Sequence, residues 1–270
     1  MPFLEKALQS VQSQTYKNWE LIFWDNCSSD GSFQFVKNIT DSRIRPYRSD
    51  QHKTLYSARN DAFRKVRGEY LCILDCDDYW QPKKLEKQLE VFKSSSIQMC
   101  CTNFEIIRKN LKLLIREPIF KRHLDISDVL RGDIIVVSSC MYKTSLLRSF
   151  SGPFSETEII GDMQLHVKIL DAANGMILPQ KLTHIRLHEN NQSSLQAKLG
   201  SQEKRKFLKS KMYQYGKNPE KAFLFKNTRL YDVIAKPSKN KKLKKLFLVV
   251  GMRPGILQIK ALLRIFMKRN

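Results

Sequence analysis

The chain has 270 residues, an apolar fraction of 42% and a formal net charge of +22. This length and composition exclude a disordered chain and suit one α/β domain of ordinary size with an appendage. The charge is unevenly spread: residues 195–270 contain 21 Lys and Arg against 3 Asp and Glu, a net of +18, so residues 1–194 carry 22 − 18 = +4. A nearly balanced front part excludes a chain that binds nucleic acid throughout, whereas the basic remainder indicates an anionic surface as a neighbour.

The break in charge predicts a folded domain over residues 1–194 and a basic helical region over residues 195–270. All six cysteines lie at or before Cys140, and no pair has the spacing of a zinc site, so we expect buried free thiols in a reducing cytosol. No window of about 18 uncharged apolar residues is present, and the chain opens on a helical pattern rather than a signal peptide. We therefore expect a cytoplasmic chain without a membrane-spanning helix.

Short apolar runs alternate with segments of helical periodicity along the front part of the chain. The predicted helices are an opening helix through Leu4 and Val11, Phe33–Ile39, Ser57 to about Val66 with Ser57 as its cap, a helix after Pro82, and Asp162–Ala173. The predicted strands are Leu21–Trp24, Ile44–Tyr47, Tyr70–Leu74, Gln98–Phe104, Ile134–Tyr142 and Leu182–Leu187. Such alternation predicts an α/β fold with a mostly parallel sheet flanked by helices.

Two of the predicted strands end directly on acidic residues. Asp25 follows Trp24, and Asp75 follows Leu74. Ligands in open α/β sheets bind beyond the carboxyl ends of the strands, so parallel strands would bring both acids to one rim. The spacing therefore predicts a ligand site at that rim.

A cluster of three carboxylates begins at the second of these strand ends. Asp75, Asp77 and Asp78 lie within four residues, and their mutual repulsion is costly unless a cation neutralises it. Carboxylate oxygens select hard ions such as Mg²⁺ or Mn²⁺, which usually bring phosphates with them. The alternative is a solvated turn with helix-capping acids, and Asp78 fits that interpretation in part.

Five segments in the right order resemble the motifs of glycosyltransferase family 2, whose catalytic domain has the GT-A fold with a Rossmann-like nucleotide-binding half. They are Gln14–Ile22 (Q-T-Y-x-N-x-E-L-I), Asp25–Ser32 (D-D-x-S-x-D-G-S), Ser57–Asn60 (A-A-R-N), Gly68–Leu85 (G-E-Y-I…L-D-x-D-D-x-W-x-P-x-K-L) and Arg186–Asn190 (R-x-H-E-N). Each motif alone is weak, but five in order over most of the first 190 or so residues are specific. The resemblance implies a GT-A-type sheet and a nucleotide-sugar donor.

The same resemblance implies roles for individual residues. Asp25 would accept a hydrogen bond from the nucleotide base, Arg59 would contact the base or the phosphates, Asp75 would bind the ribose or reach the metal, and Asp77 would be the principal ligand of a Mg²⁺ or Mn²⁺ ion. Asp78 belongs to the same metal-binding cluster. His188 is a candidate metal or phosphate contact, with a purely structural histidine as the alternative.

The resemblance also implies a general base in an E-D pair at the start of a helix. The matching segment places Asp162 at the Asp position and Gly161 at the Glu position. One carboxylate can take the proton of an acceptor hydroxyl that lies within hydrogen-bond reach. With no second carboxylate as nucleophile, single displacement with inversion at the anomeric carbon is expected. The alternative role for Asp162 is a helix N-cap.

One departure from the family concerns the start of the chain. Family members normally begin with a strand ahead of the first helix, whereas this chain opens inside that helix. We expect the missing strand to expose apolar neighbours and unpaired backbone groups. A non-catalytic, truncated remnant of the fold is therefore one alternative to an active enzyme, and a nucleic-acid-binding protein that uses the basic tail is another.

The basic tail matches no motif of the family. Lys241–Lys245 precedes the apolar run Leu246–Val250, and Ile256–Met267 is again amphipathic. This pattern favours an interfacial helix pair attracted to anionic lipid at the inner face of the cell membrane, with a packed helical appendage as the alternative. The combined prediction is an inverting, metal-dependent glycosyltransferase that moves a sugar from a nucleotide diphosphate donor, most often a UDP-sugar in the family it resembles, to a glycan or lipid-linked acceptor in surface polysaccharide synthesis. Nucleic acid is not expected as a partner.

Overall fold

The computed structural model describes residues 3–93, 96–108, 111–113, 123–130, 135–189, 191, 195–216 and 218–225. The chain divides into two compact units, Met1–Lys204 and Arg205–Asn270. The candidate site residues all fall in the first unit. The three tail segments Lys241–Lys245, Leu246–Val250 and Ile256–Met267 lie outside the described residues.

Helices and strands alternate along the described part of the chain. The helices are α1 (Leu4–Gln12), α2 (Ser32–Lys37), α3 (Leu55–Phe63), α4 (Lys84–Phe92), α5 (Ile126–Leu130), α6 (Thr144–Arg148), α7 (Gly161–Ala172) and α8 (Ala197–Gln214). The strands are β1 (Leu21–Asp25), β2 (Ile44–Arg48), β3 (Tyr70–Cys72), β4 (Tyr79–Trp80), β5 (Ile97–Arg108), β6 (Leu111–Leu113), β7 (His123–Leu124), β8 (Cys140–Lys143) and β9 (Asn174–Leu187). A short 3-10 turn, Val137–Ser139, leads into β8.

The predicted α/β fold, a sheet flanked by helices, is confirmed, but the sheet is mixed rather than mostly parallel. Strands β1 and β2 form a parallel pair, and the larger sheet has the order β3-β8-β5-β9-β4, with β6 on β5 and β7 on β9. Among the described strands of that sheet only β5 and β9 run parallel. The short link from β5 to β6 permits only an antiparallel pair, whereas the long connections before β8 and β9 leave the strand direction open.

Strand β9 begins eight residues before the predicted strand Leu182–Leu187. Pro179, Gln180 and Lys181 interrupt the apolar pattern in this stretch. The register with β5 shifts at the same place, and Asn103 Nδ2 donates to Pro179 O over 2.9 Å. The strand therefore continues through a β-bulge, which the Asn103 side chain bridges, although the alternation of apolar and polar residues is broken there.

Two of the buried apolar clusters lie on opposite faces of the central strands. Cys101 of β5 belongs to a cluster with Tyr56 and Leu165, whereas its neighbour Cys100 belongs to a cluster with Trp80 and Phe92. Successive side chains of a strand point to opposite faces, so β5 is covered on both sides. Each fully buried large apolar side chain stabilises the fold by roughly 1.5–3 kcal/mol.

Strands β1 and β3 pair on one side only among the described strands. Leu21–Trp24 and all three residues of β3 are half-buried rather than buried. Such edges carry unpaired backbone groups that a protein normally covers or pairs. Strand β1 is followed by the turn after Asp25, and β3 is followed by the loop that carries Asp75, Asp77 and Asp78.

The cysteines only partly match the expectation of buried thiols. All six are free, and Cys100, Cys101 and Cys140 are buried. The expectation was wrong for Cys27 and Cys76, which are exposed because both lie in the turns that follow strands rather than in the strands themselves. None of the helices in the described ranges is both long and apolar enough to cross a membrane.

Candidate functional site

The acidic loop connects β3 to β4 and is held by Ser138. The Asp75 N–H donates to Ser138 Oγ over 3.2 Å, and Ser138 Oγ donates to Asp78 Oδ2 over 2.7 Å. Trp80 Nε1 donates to Ser138 O over 2.7 Å. Ser138 is 1% exposed, so a buried residue of the turn before β8 determines the shape of the whole loop.

Asp78 points into the protein. Its Oδ2 accepts from Ser138 and its Oδ1 accepts from the backbone N–H of Arg186 over 3.1 Å. Burial, and then the charge of Asp75, raise the pKa of Asp78 to about 8. The carboxyl group therefore serves the packing between the loop and β9, which is close to the structural interpretation considered for it.

Asp77 instead faces the segment that follows β9. Its Oδ2 lies 3.0 Å from His188 Nε2 and accepts from Asn191 Nδ2 over 3.2 Å. Asn191 Oδ1 in turn accepts from the His188 backbone N–H over 2.6 Å. The loop after β9 is thus folded around one oxygen of Asp77, and Asp77 Oδ1 receives no hydrogen bond from the residues in the described ranges.

Asp75 forms an ion pair with Arg59 of α3. Desolvation, together with the charges of Asp77 and Asp162, raises the pKa of Asp75 against the opposing effect of Arg59. Burial lowers the pKa of the Arg59 guanidinium, but Asp75, Tyr56 and Asp162 raise it to a net value above the usual one. Arg59 therefore remains a cation between two acidic residues.

Helix α3 positions Arg59 and Tyr56 toward the start of α7. The helix begins after Thr54, whose side chain accepts from the Ser57 N–H, so Thr54 and not the predicted Ser57 is the cap. Tyr56 Oη lies 3.1 Å from Asp162 Oδ1 and 2.9 Å from Ile159 O. Burial, and then the charge of Asp162, raise the pKa of the Tyr56 phenol far above its usual range, so the group stays a hydrogen-bond donor.

Asp162 lies in the first turn of α7. Its Oδ1 accepts from the Met163 N–H over 2.7 Å as well as from Tyr56. Just before α7, the Glu203 carboxylate accepts from the N–H groups of residues 158–160 at 2.8, 3.0 and 3.3 Å. The segment that carries Asp162 is therefore held by hydrogen bonds to Tyr56 and to Glu203.

Asp25 lies at the end of β1 and is 2% exposed. Its carboxylate accepts from the Ser28 N–H over 3.1 Å and pairs with Arg48 Nε over 3.2 Å. Arg48 also lines a cavity of about 390 Å³ together with Trp24 and Lys53. Asp25 is thus linked through Arg48 to this neighbouring basic pocket, and among the described residues its hydrogen bonds and ion pair do not include the acidic loop.

The structure brings together Asp75, Arg59 and Asp162 through a chain of contacts, and Asp77 with His188. Three residues of this arrangement were missed by the sequence analysis: Tyr56, Ser138 and Asn191. Tyr56 and Asn191 adjoin the quoted motifs, and that adjacency is the one signal that could have found them. Ser138 comes from a segment predicted as an ordinary strand, so only the fold reveals it.

Comparisons with known proteins identify the family. The model of glycosyl transferase family 2 matches residues 1–149. Escherichia coli WfgD, a UDP-Glc:alpha-D-GlcNAc-diphosphoundecaprenol beta-1,3-glucosyltransferase, is 31% identical over 63% of this chain and 66% of its own length. Bacillus subtilis TuaG, a putative teichuronic acid biosynthesis glycosyltransferase, is 31% identical over 49% of this chain and 54% of its own length. The chain therefore spans about one half to two thirds of these two relatives.

Solved structures agree on the fold. S. aureus TarS 1–349 superposes with a TM-score of 0.68 at 14% identity and covers 89% of this chain and 73% of that chain. The same protein in complex with UDP-GlcNAc superposes with a TM-score of 0.62 at 16% identity, covering 72% and 57%. Since the family model matches more than half of the chain, the chain belongs to glycosyl transferase family 2.

Proposed function

We propose that this chain is an inverting glycosyltransferase that moves a sugar from a UDP-sugar to a lipid-linked glycan acceptor in surface polysaccharide synthesis. The observation that carries the proposal is the contact chain Asp75–Arg59–Tyr56–Asp162, which joins the acidic loop to a helix start with a carboxylate. The donor diphosphate would lie against the acidic loop, and the acceptor hydroxyl would lie at Asp162. The name of WfgD, with UDP-Glc and a diphospholipid-linked sugar, supports this choice of substrates.

Asp162 would act as the general base. Its Oδ1 is held by Tyr56 and Met163, while Oδ2 receives no hydrogen bond from the described residues. That oxygen would take the proton of the acceptor hydroxyl as the hydroxyl oxygen attacks the anomeric carbon and the bond to the diphosphate breaks. One carboxylate and no nucleophilic partner correspond to a single displacement, and hence to inversion.

Arg59 and Asp25 would bind the donor. Arg59 is only 13% exposed along its side chain and lies between Asp75 and Asp162, where its charge can meet a phosphate oxygen. Asp25 and the basic pocket beside it would receive the nucleoside, with Arg48 and Lys53 as its cations. Asp75 would bind the ribose or the metal.

The residues present fit a Mg²⁺ or Mn²⁺ ion that is shared with the donor. The described residues contain no group of three His, Cys, Asp or Glu side chains arranged around one point. Mg²⁺ is commonly bound by one or two carboxylates and completed by substrate phosphates, and Asp77 Oδ1 is available for that purpose. Asp77 would hold the ion, with Asp75 and His188 beside it, whereas Asp78 would support the loop. Such an ion neutralises charge on the departing diphosphate.

The first experiment is a calorimetric titration of UDP into the purified chain with and without Mn²⁺. We expect Mn²⁺-dependent binding that Asp77→Ala abolishes. Glu90→Ala, an exposed acid on α4 that pairs with Lys87, is the matched control and should bind like the unsubstituted chain. A folded chain that binds no UDP would contradict the proposal and favour a non-catalytic remnant of the fold.

The second experiment tests the transfer of sugar to the acceptor. UDP-glucose and UDP-GlcNAc are each offered with a GlcNAc-diphospholipid, and the release of UDP is measured.

Helix α8 contains six Lys and Arg against one Glu, so we also propose that the basic region approaches an anionic membrane surface. Sedimentation with anionic vesicles that persists in high salt, or equals sedimentation with neutral vesicles, would contradict that electrostatic attraction.

A further inference from the structure

Tyr56 connects α3 with the segment that carries the proposed base. The side chain is 2% exposed, and its ring is stacked on Phe154 with a centroid distance of 5.8 Å. Its single phenolic proton is shared between Ile159 O and Asp162 Oδ1. Both acceptors belong to the entry into α7, so one hydroxyl bridges a loop carbonyl and a carboxylate.

Gly161 provides the space for the Tyr56 ring. A Cβ atom added at residue 161 would lie 2.5–2.7 Å from three ring carbons of Tyr56. Non-bonded carbons normally lie about 3.5–4.0 Å apart, and the closest ring atom is the one next to the tyrosine Cβ, which cannot swing away. The requirement for glycine is therefore one of space, and Tyr56 and Gly161 form a matched pair.

The hydrogen bond determines which oxygen of Asp162 is left for chemistry. Tyr56 and the Met163 N–H both engage Oδ1, and Oδ2 has no such bond within the described ranges. A partial rotation of the carboxylate about its Cβ–Cγ bond would take the bonded oxygen away from both donors, whereas a half-turn only exchanges two equivalent oxygens. Charge-assisted hydrogen bonds are among the strong ones, so this arrangement favours one orientation.

We propose that Tyr56 is a positioning residue that orients the Asp162 carboxylate, and that Gly161 is required because it admits the Tyr56 ring. This inference rests on the proposed function, since it concerns the surroundings of the proposed base. The role belongs to catalytic geometry, because a general base must lie within hydrogen-bond reach of the proton that it removes. Tyr56 itself need not touch the substrate.

The kinetic test compares Tyr56→Phe with the matched control Tyr70→Phe, whose ring packs on Phe92. UDP release is measured with UDP-glucose and a GlcNAc-diphospholipid, in the unsubstituted chain and in an Asp162→Asn background. We expect Tyr56→Phe to lower kcat roughly 10-fold or more, with the donor KM unchanged, and to have no further effect beside Asp162→Asn. A raised donor KM at constant kcat, or an equal loss in both backgrounds, would overturn the proposal.

The second test needs no activity and remains decisive if the chain transfers no sugar. Thermal unfolding midpoints are measured for Gly161→Ala, alone and together with Tyr56→Ala. We expect Gly161→Ala to lower the midpoint in the presence of the ring and to leave it unchanged or raise it without the ring, because alanine is otherwise the better helix former. An equal decrease in both backgrounds would overturn the pairing. If Tyr56→Ala does not fold, Gly161→Ala is compared instead with Gly68→Ala, where the nearest atom to an added Cβ is Tyr70 O at 3.3 Å. A decrease no larger than that of Gly68→Ala would then overturn the pairing.

Discussion

The two ends of the candidate site hold their carboxylates in opposite ways. In the acidic loop, Asp75, Asp77 and Asp78 crowd one another, and their charges contribute to the raised pKa values of Asp75 and Asp78. At the start of α7, Asp162 is a single carboxylate held by a phenol and a backbone N–H. The same residue type is therefore set up for two tasks by its surroundings, as in enzymes whose acidic groups have separate roles.

This difference indicates a separate chemical role for each end of the site. A cation stabilises crowded carboxylates by neutralising their repulsion, and the loop would bind the donor phosphates through such a cation. A single oriented carboxylate outside that cluster needs no metal ion and is suited to take a proton. The two ends should consequently respond differently to substitution: changes in the loop should alter donor binding or stability, and changes at Asp162 should alter turnover.

The largest expected effect is that of Asp162→Asn. Loss of a general base should lower kcat by about 10²–10⁴-fold, while Mn²⁺-dependent UDP binding stays within twofold or so of the unsubstituted value. Steady-state UDP release and calorimetry measure the two quantities on the same preparation. A variant that loses donor binding to the same extent as turnover would show that the two ends are not separate.

Asp78→Asn should stabilise the protein in a pH-dependent way. The folded-state pKa of about 8 lies above the usual 3.8, so ionisation of Asp78 opposes folding. The cost is absent below about pH 4, grows between about pH 4 and pH 8, and is complete above that range. It is roughly 6 kcal/mol at most.

Urea unfolding of Asp78→Asn and the unsubstituted chain at about pH 5 and about pH 9 measures this difference. The amide can accept from the Arg186 N–H and donate to Ser138, so the contacts of the loop are kept. We expect the variant to gain stability mainly at the higher pH. A gain that is the same at both pH values would mean that ionisation of Asp78 is not the cause.

Asn191→Ala should weaken the metal-dependent side of the site. Asn191 holds both the Asp77 carboxylate and the His188 backbone, so its loss frees two proposed metal contacts. Changes in such supporting residues typically cost about 10–100-fold in metal affinity. Titration of Mn²⁺ in the presence of UDP measures it, with the exposed Asn38→Ala as control. Unchanged Mn²⁺ affinity would leave Asn191 with a structural role alone.

The fold could be predicted from the sequence better than the arrangement of the proposed site residues. Asp75, Asp77, Arg59 and Asp162 stand in motifs whose order along the chain predicts the fold, and the fold is confirmed. The contact between Ser138 and Asp78 joins residues 60 positions apart and depends on how β8 pairs with β3 and β5. Local patterns contain no information on that pairing, because a three-residue strand has almost no periodicity of its own.

The predictions of strand boundaries and strand directions were wrong for related reasons. The antiparallel pairing of β8 with β3 and β5 joins strands that are far apart in the sequence, and a list of apolar runs does not reveal it. The early part of β9 contains Pro179 and Lys181, which local propensity excludes from a strand, yet the bulge against β5 accommodates them. In both cases the long-range pairing of the sheet overrides the local preference.

The smallest expected effect concerns the cap of α3, which carries both Tyr56 and Arg59. Local pattern favoured Ser57, but the side chain of Thr54 accepts from the Ser57 N–H and the helix begins at Leu55. Thr54→Ala should therefore cost about 0.5–2 kcal/mol of unfolding free energy, whereas Ser57→Ala should change it by less than about 0.5 kcal/mol. Urea unfolding of the two variants side by side measures the difference. If Ser57→Ala were the more destabilising, the helix would begin one turn later, and Tyr56 would then lie outside the helix that aims it at Asp162.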